Sequence, residues 1–316
     1  MRSRLISVTA ALVLIGVAFA APASAKEEET NGQITFGRFD PALGDFSIWA
    51  SNPDGTRQRR LTDVPSFFSD WSPNGRRIAL DFADDVGVHI ATVSPMGGQQ
   101  RQLTFGAGIQ EVPKWSPDGR SITFDASPTF PDDPAFHTSV WIMDADGSSA
   151  RQLTDDGFDV EPVFSPDGTR IVFGRITGFT PQGDQLEALF VMNADGSRLH
   201  QIVAPRAGLE HPDWSPDGRL ISFNIAPESV LAPESGSVLV VHPDGGTPRV
   251  LRQPTDQLRF FKPVWSPDGR RLLTGCHDVA ARMDKLCTMD ASGRGVHIIV
   301  DATPNSVNFP AWGSRR

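Results

Sequence analysis

The sequence predicts an all-β fold: a six-bladed β-propeller of four-stranded antiparallel blades, closed by pairing of the N- and C-terminal strands. Three observations carry this expectation. Aromatic anchors recur at Trp71, Trp115, Phe164, Trp214, Trp265 and Trp312, with successive gaps of 44, 49, 50, 51 and 47 residues. A repeat of that length belongs to solenoids and propellers. The first five anchors each open a near copy of one turn, as in Trp115-Ser116-Pro117-Asp118-Gly119, and a second Asp-Gly turn recurs between them.

Each element has a local reason. Ser starts the first turn, Pro presets φ at its second position, Asp or Asn suits the third and Gly takes the last. Apolar alternating runs follow, such as Arg77-Ile78-Ala79-Leu80 and Ser121-Ile122-Thr123-Phe124. The run before the turn and the run after it therefore read as a hairpin, with the Trp or Phe as a large buried anchor. A third strand leads into the second turn, as in Val140-Trp141-Ile142-Met143-Asp144-Ala145-Asp146-Gly147, and Ser94-Pro95-Met96-Gly97 is a worn copy. A short fourth strand follows, as in Arg59-Arg60-Leu61-Thr62, Arg101-Gln102-Leu103-Thr104 and Arg151-Gln152-Leu153-Thr154. Four short strands with tight turns make a propeller blade. The first strands and the sets of the other three match in number only if the strand at Asn308 to Trp312 completes the blade begun at Gln33 to Phe36.

Residues 1–25 read as an export signal: Arg2 and Arg4, a mostly apolar run from Leu5 to Ala21, and the cleavage pattern Ala23-Ser24-Ala25. The apolar run is shorter than the roughly 20 residues a membrane span needs, so no transmembrane anchor is expected. A short acidic linker at 26–32 and a single propeller at 33–316 complete the expected organisation. The expected location is secreted, either extracellular or periplasmic. The chain carries a formal charge of −9. Its Arg residues are spread through every repeat instead of clustering on one face, which argues against nucleic acid. The cysteines, Cys276 and Cys287, flank ten residues of the last repeat. An exported chain allows a disulfide between them; the other reading is two small apolar strand residues.

The W-S-P-D-G turn, the D-x-D-G turn and the R-x-L-T strand resemble those of the TolB-like β-propeller family, a propeller also found in prolyl-oligopeptidase-type enzymes. The resemblance covers residues 33–313. It implies the fold and is nearly silent on activity, because the motifs are turns and packing anchors. The expectation is a free-standing propeller, without the TolB N-terminal domain or a peptidase domain.

Both tight turns of a blade fall on one face, so the looser, length-variable loops share the other, where binding function usually lives. The longest of these is expected from Asp125 to Ser139, offering Phe130, Asp132, Asp133 and Phe136; others run from Arg175 to Glu187, from Ala226 to Gly236 and from His277 to Lys285. The residues approaching each first strand should converge on the mouth of the central channel. Glu111, Glu161, Glu210, His211 and Lys262 then form a polar constellation there, and the rival reading is solvated rim residues that pair with each other. Asp144 to Ser148 fails as a calcium loop, with its Gly at the fourth position and no Glu at the twelfth. No metal or other cofactor is expected. G-x-S-x-G and H-E-x-x-H are both absent. The column Arg59, Arg101, Arg151, His200, Arg249 and His297 is expected to be a solvated outer edge. The expected function is an exported, monomeric, non-enzymatic module binding an envelope or extracellular protein, peptide or glycan. The alternative is a small secreted hydrolase or lyase with the channel-mouth carboxylates as acid and base.

Overall fold

The computed structural model describes residues 30–155, 157–226 and 234–315; the expected export signal lies outside them, as does the start of the acidic linker. The first sheet runs β24 (Val307–Arg315), β1 (Thr30–Asp40), β2 (Asp45–Ser51), β3 (Arg59–Arg60). An eight-stranded sheet follows. Its first half is β4 (Ser69–Trp71), β5 (Ile78–Ala83), β6 (Gly87–Val93) and β7 (Arg101–Gln102). Its second half is β8 (Gly108–Trp115), β9 (Ser121–Ser127), β10 (Ser139–Asp144) and β11 (Arg151–Gln152). Each half is antiparallel, and a short parallel contact of β6 with β8, Gly87 opposite Gly108 and Val88 opposite Ile109, joins them. Three more four-stranded sheets complete the chain: β12 (Phe158–Phe164) to β15 (His200–Ala207) through β13 (Arg170–Phe179) and β14 (Gln185–Asn193); β16 (Leu209–Trp214), β17 (Ile221–Ile225), β18 (Val238–Val241) and β19 (Arg249–Arg252); and β20 (Leu258–Trp265), β21 (Arg271–Asp278), β22 (Met283–Asp290) and β23 (His297–Val300). The result is an all-β propeller of four-stranded antiparallel sheets with no helix among the described residues. β24 pairs with β1, Trp312 opposite Ile34, so the two ends of the chain share one sheet.

The recurring motifs explain themselves at atomic level. In Ser116 to Ser121 the Gly119 N–H donates to the Ser116 carbonyl at 2.8 Å. The Ser116 hydroxyl accepts the Ser121 N–H at 2.9 Å and donates to Asp118 Oδ1 at 2.7 Å, which also accepts the Arg120 N–H at 3.0 Å. One Ser-Asp pair thus satisfies the hairpin's inner groups, which is why those residue types recur. The Thr of R-x-L-T works likewise: Thr62, Thr104 and Thr154 hydroxyls accept the N–H of Ile48, Ile90 and Val140 at 2.9, 2.8 and 3.0 Å. These reach a strand N–H where the fourth strand is too short to supply a carbonyl. Thr154→Val keeps the shape and leaves the buried Val140 N–H unpaired, so it should lower stability by about 1–3 kcal/mol in denaturant titration.

Sheet-to-sheet packing is also periodic. The Gly of each second turn lies against the fourth strand of the preceding unit: Gly97 on Leu61, Gly147 on Leu103, Gly196 on Leu153, Gly245 on Ile202 and Gly293 on Leu251. Gly55 closes the series by lying on Ile299. The outer column is solvated as expected, with Arg101, Arg151, His200, Arg249 and His297 exposed and Arg59 half-buried, and three of its arginines also reach the neighbouring unit. The Arg101 guanidinium donates to the Asp146 carbonyl at 3.0 Å, Arg151 reaches that of Asp195 at 3.5 Å, and Arg59 donates to the Pro95 carbonyl. They bridge one fourth strand to the second tight turn of the next unit.

Three of the variable loops are shorter than the sequence suggests, because the strands run on into them; the expected loop from Ala226 to Gly236 falls largely outside the described residues, at 227–233. Asp125 and Ser127 belong to β9, Arg175 to β13, Glu187 to β14, and His277 and Lys285 to β21 and β22. Cys276 and Cys287 sit diagonally on β21 and β22, since Cys276 faces Lys285 and Thr274 faces Cys287. Their Cα atoms are 5.9 Å apart and the sulfurs are bonded. Closing so short a loop is worth about 3 kcal/mol, which the double substitution to Ala should remove in an unfolding titration.

Candidate binding site

The innermost strands share a bulge. Pairing of β8 with β9, β12 with β13, β16 with β17 and β20 with β21 slips between Glu111 and Lys114, Val160 and Val163, Glu210 and Asp213, and Phe261 and Val264. At each slip the residue before a proline takes a left-handed φ: Val112 at 52°, Glu161 at 56°, His211 at 56° and Lys262 at 46°, with Phe309 of β24 at 48°. That conformation costs an L-residue about 1–2 kcal/mol. Strain repeated at one position of successive strands is a feature of functional sites.

The bulges aim these side chains at the axis, around a cavity of 770 Å³ on the loop face. Glu111, Glu161, Glu210 and His211 line it, as the sequence led us to expect. Lys262 sits just beneath, in the narrow passage leading to a second depression ringed by Trp71, Trp115, Trp214, Trp265 and Trp312 on the turn face. Phe130, Asp132, Asp133 and Phe136 are not among the cavity's lining residues. Phe136 packs on Phe158 with ring centroids 5.9 Å apart, and Asp133 accepts the Ala135 N–H at 2.8 Å within its own turn. Phe130 and Asp132 are exposed.

Side chains of the second strands hold the bulges. Asp125 Oδ1 accepts the Glu161 N–H at 3.2 Å, and Asn224 Oδ1 accepts the Lys262 N–H at 2.8 Å. Asp81 Oδ1 accepts the Phe67 and Phe68 N–H groups at 2.8 and 2.9 Å. Glu161 Oε2 accepts the His211 N–H at 2.6 Å, while its Oε1 pairs with His211 Nδ1. The other imidazole nitrogen lies 3.5 Å from Glu210. Where the second strand has Gly instead, a neighbouring side chain takes the space: the Glu187 carboxylate over Gly174, the Phe261 ring over Gly275 and the Asn308 amide over Gly37. Sequence reasoning missed Asp81, Asp125, Glu187, Asn224 and Asn308. The signal was there for three of them, in lone Asp or Asn residues inside apolar runs such as Ile122-Thr123-Phe124-Asp125 and Ile221-Ser222-Phe223-Asn224.

Burial, with Asp81 and Glu161 nearby, raises Glu111 to about 7. Burial and the Glu111 charge hold Asp125 well above the usual carboxylate range, and burial with Glu161 and Glu210 does the same to Glu187. Burial also pushes Glu161 up, but His211 and Lys262 outweigh it and keep that carboxyl low. Burial and Lys114 bring Lys262 down to about 7, against the pull of Glu161 and Asp81. The Lys262 ammonium sits 4.3 and 4.7 Å from the ring centres of Phe68 and Phe309. Among the described residues no group of three or more His, Cys, Asp or Glu side chains is placed to hold a metal ion.

The TolB beta propeller domain model matches residues 45–316. The chain belongs to that family. Its TolB-type propeller is 30% identical over 117 residues to Atu1656 of Agrobacterium fabrum, covering 37% of this chain and 38% of the relative. Against the Tol-Pal system protein TolB of Francisella tularensis (strain SCHU S4 / Schu 4) it is 26% identical over 112 residues, 34% of this chain and 25% of that one. The chain thus spans well under half of these relatives. Among solved structures, TolB from Acinetobacter baumannii superposes with a TM-score of 0.72 at 20% identity, covering 89% of this chain and 66% of that one. Kuenenia stuttgartiensis hydrazine synthase gives 0.73 at 16% identity, covering 91% and 47%. At such identities these superpositions speak for the fold alone.

Proposed function

We propose that this chain is an exported six-bladed TolB-type propeller that binds a protein, peptide or glycan of the envelope or its surroundings through its loop face. Counting the eight-stranded sheet as two blades gives the six. The observation that carries the reading is the loop-face cavity itself. Strained bulges present Glu161 and His211 to an open 770 Å³ space, a size suited to a ligand side chain or small molecule. The family's turn and anchor residues build the scaffold, and residues 1–25 supply the export signal. The relatives named as Tol-Pal system proteins support a protein partner.

The test is capture from envelope extract and culture medium with residues 26–316. The variant Glu161→Gln/His211→Asn/Lys262→Met should still melt in one cooperative transition and lose the specific species captured by the parent by about tenfold or more, the size expected for a buried hot spot. If parent and variant capture the same species equally, the site assignment is wrong. One observation favours a second reading, a secreted hydrolase or lyase: Glu161 is held low while Glu111 is raised to about 7, the split an acid–base pair needs. Turnover of a sugar or ester substrate with a bell-shaped pH profile, abolished by Glu111→Gln, would establish that reading.

A further inference from the structure

The cavity's charges do not balance. Glu111, Asp125, Glu161, Glu187, Glu210 and Asp284 line it. Against them stand His211, His277 and Arg259. His211 engages Glu161 and Glu210, and His277 Nδ1 lies 2.8 Å from Asp284. Asp125 is held by the Glu161 N–H. That leaves Glu111, on which the Lys262 ammonium beneath the cavity also acts, and Glu187, with Arg259 in none of these pairs. Glu187 is 3% exposed, and its Oε1 has no hydrogen-bond partner among the described residues. It comes from β14, over Gly174, and borders the cavity. A buried carboxylate oxygen without a partner is costly unless something arrives to meet it.

Phe68, Phe261 and Phe309 supply apolar wall around the same space. The channel already holds one cation in this way, the Lys262 ammonium over Phe68 and Phe309. The carboxylates do not converge as metal ligands do. A broad cavity with separated carboxylates and aromatic faces fits an organic cation, which donates several hydrogen bonds and lies against rings.

We propose that the channel mouth binds a guanidinium or alkylammonium group of the ligand, with Glu187 and Glu111 as the carboxyl groups that give up their protons to meet it. This rests on the loop face being the binding face. It names the chemistry of the guest, which a lysine or arginine side chain or a free amine would share.

The test uses the mature chain and calorimetric titration with three probes: the capped peptide Gly-Gly-Arg-Gly-Gly, the same peptide with neutral citrulline in place of Arg, and butylguanidinium. The expected result is binding of the Arg peptide or of butylguanidinium, with the citrulline peptide weaker by about tenfold or more. Tighter binding of the peptide marks a side chain of a polypeptide as the source; equal binding of butylguanidinium marks a free cation. Glu187→Gln and, separately, Glu111→Gln should each weaken the cation by about tenfold in a chain that still folds, judged by a single cooperative melting transition whatever its midpoint. Three results would each overturn the proposal: no cation binding, equal binding of the citrulline peptide, or full affinity in both variants. If the cation fails while envelope capture still depends on Glu161, His211 and Lys262, the guest's charge is wrong and the binding face stands.

Discussion

Gly55→Ala should cost several kcal/mol, while Gly98→Ala should cost only about 1–2 kcal/mol, the ordinary penalty of a left-handed alanine. The two glycines share the same backbone requirement, with φ of 78° and 71°. They differ in space. A Cβ at Gly98 would meet nothing within 4 Å, whereas at Gly55 it would overlap the carbonyl oxygen of Ile299. That contact joins the first sheet to β23, across the closure of the ring. Relief requires the two sheets to separate, which exposes apolar groups shared between them: Trp49, Ile299 and Val300 lie in one core cluster with Ile34 and Trp312. An apolar interface opened by backbone overlap belongs to the large-effect class of substitutions, beyond about 4 kcal/mol. Urea titration of both variants measures the difference. Equal losses would mean that the ring ends are not packed against one another.

Glu187→Gln should stabilise the protein at pH 8 and do nothing comparable at pH 4.5. The sign follows from linkage. The folded state raises Glu187 well above its ordinary 4.5, so it holds a proton that the unfolded chain has released. Stability from this group is full below 4.5 and is lost as pH rises toward the raised value. Glutamine has no proton to lose. Glu111, at about 7, and Asp81 and Asp213, each at about 6, act in the same direction. Lys262 opposes them at higher pH, because it is lowered from 10.5 to about 7 and the unfolded chain binds the extra proton across that window. The parent should therefore lose stability between pH 5 and 7 and level off above. Thermal melts of parent and variant across pH 4.5–8 decide it. Parallel curves would mean that Glu187 is not buried as a carboxylic acid. A site made costly by its own unmatched acids is expected where a ligand completes it.

How much of this was legible follows from the range of the interactions. Ser116 and Asp118 bond within six residues, so their motif announces a hairpin wherever it occurs. Trp312 reveals ring closure because it is an anchor lacking a turn, and β24 does pair with β1. The channel-mouth residues were readable because each precedes a proline or its neighbour at one place in the repeat. The matching acids were not. Asp125 meets Glu161 across 36 residues, and Glu187 fills a gap left by the absent side chain of Gly174. No local pattern tells that a glycine's space will be taken by a carboxylate from the next strand. The loop from Phe130 to Phe136 divides its residues: Phe136 rests on Phe158 of β12 and Asp133 serves its own turn, while Phe130 and Asp132 stay exposed on the surface.

The most direct test places a benzophenone side chain at Gln185, exposed at the cavity's edge, or at Arg120, exposed on the turn face. Each mature protein is irradiated in envelope extract with and without excess unlabelled parent. Loop-face binding predicts a discrete, competable adduct from position 185 and none from position 120. A competable adduct from position 120 alone would contradict the account and move the binding site to the tryptophan-ringed opposite end of the channel.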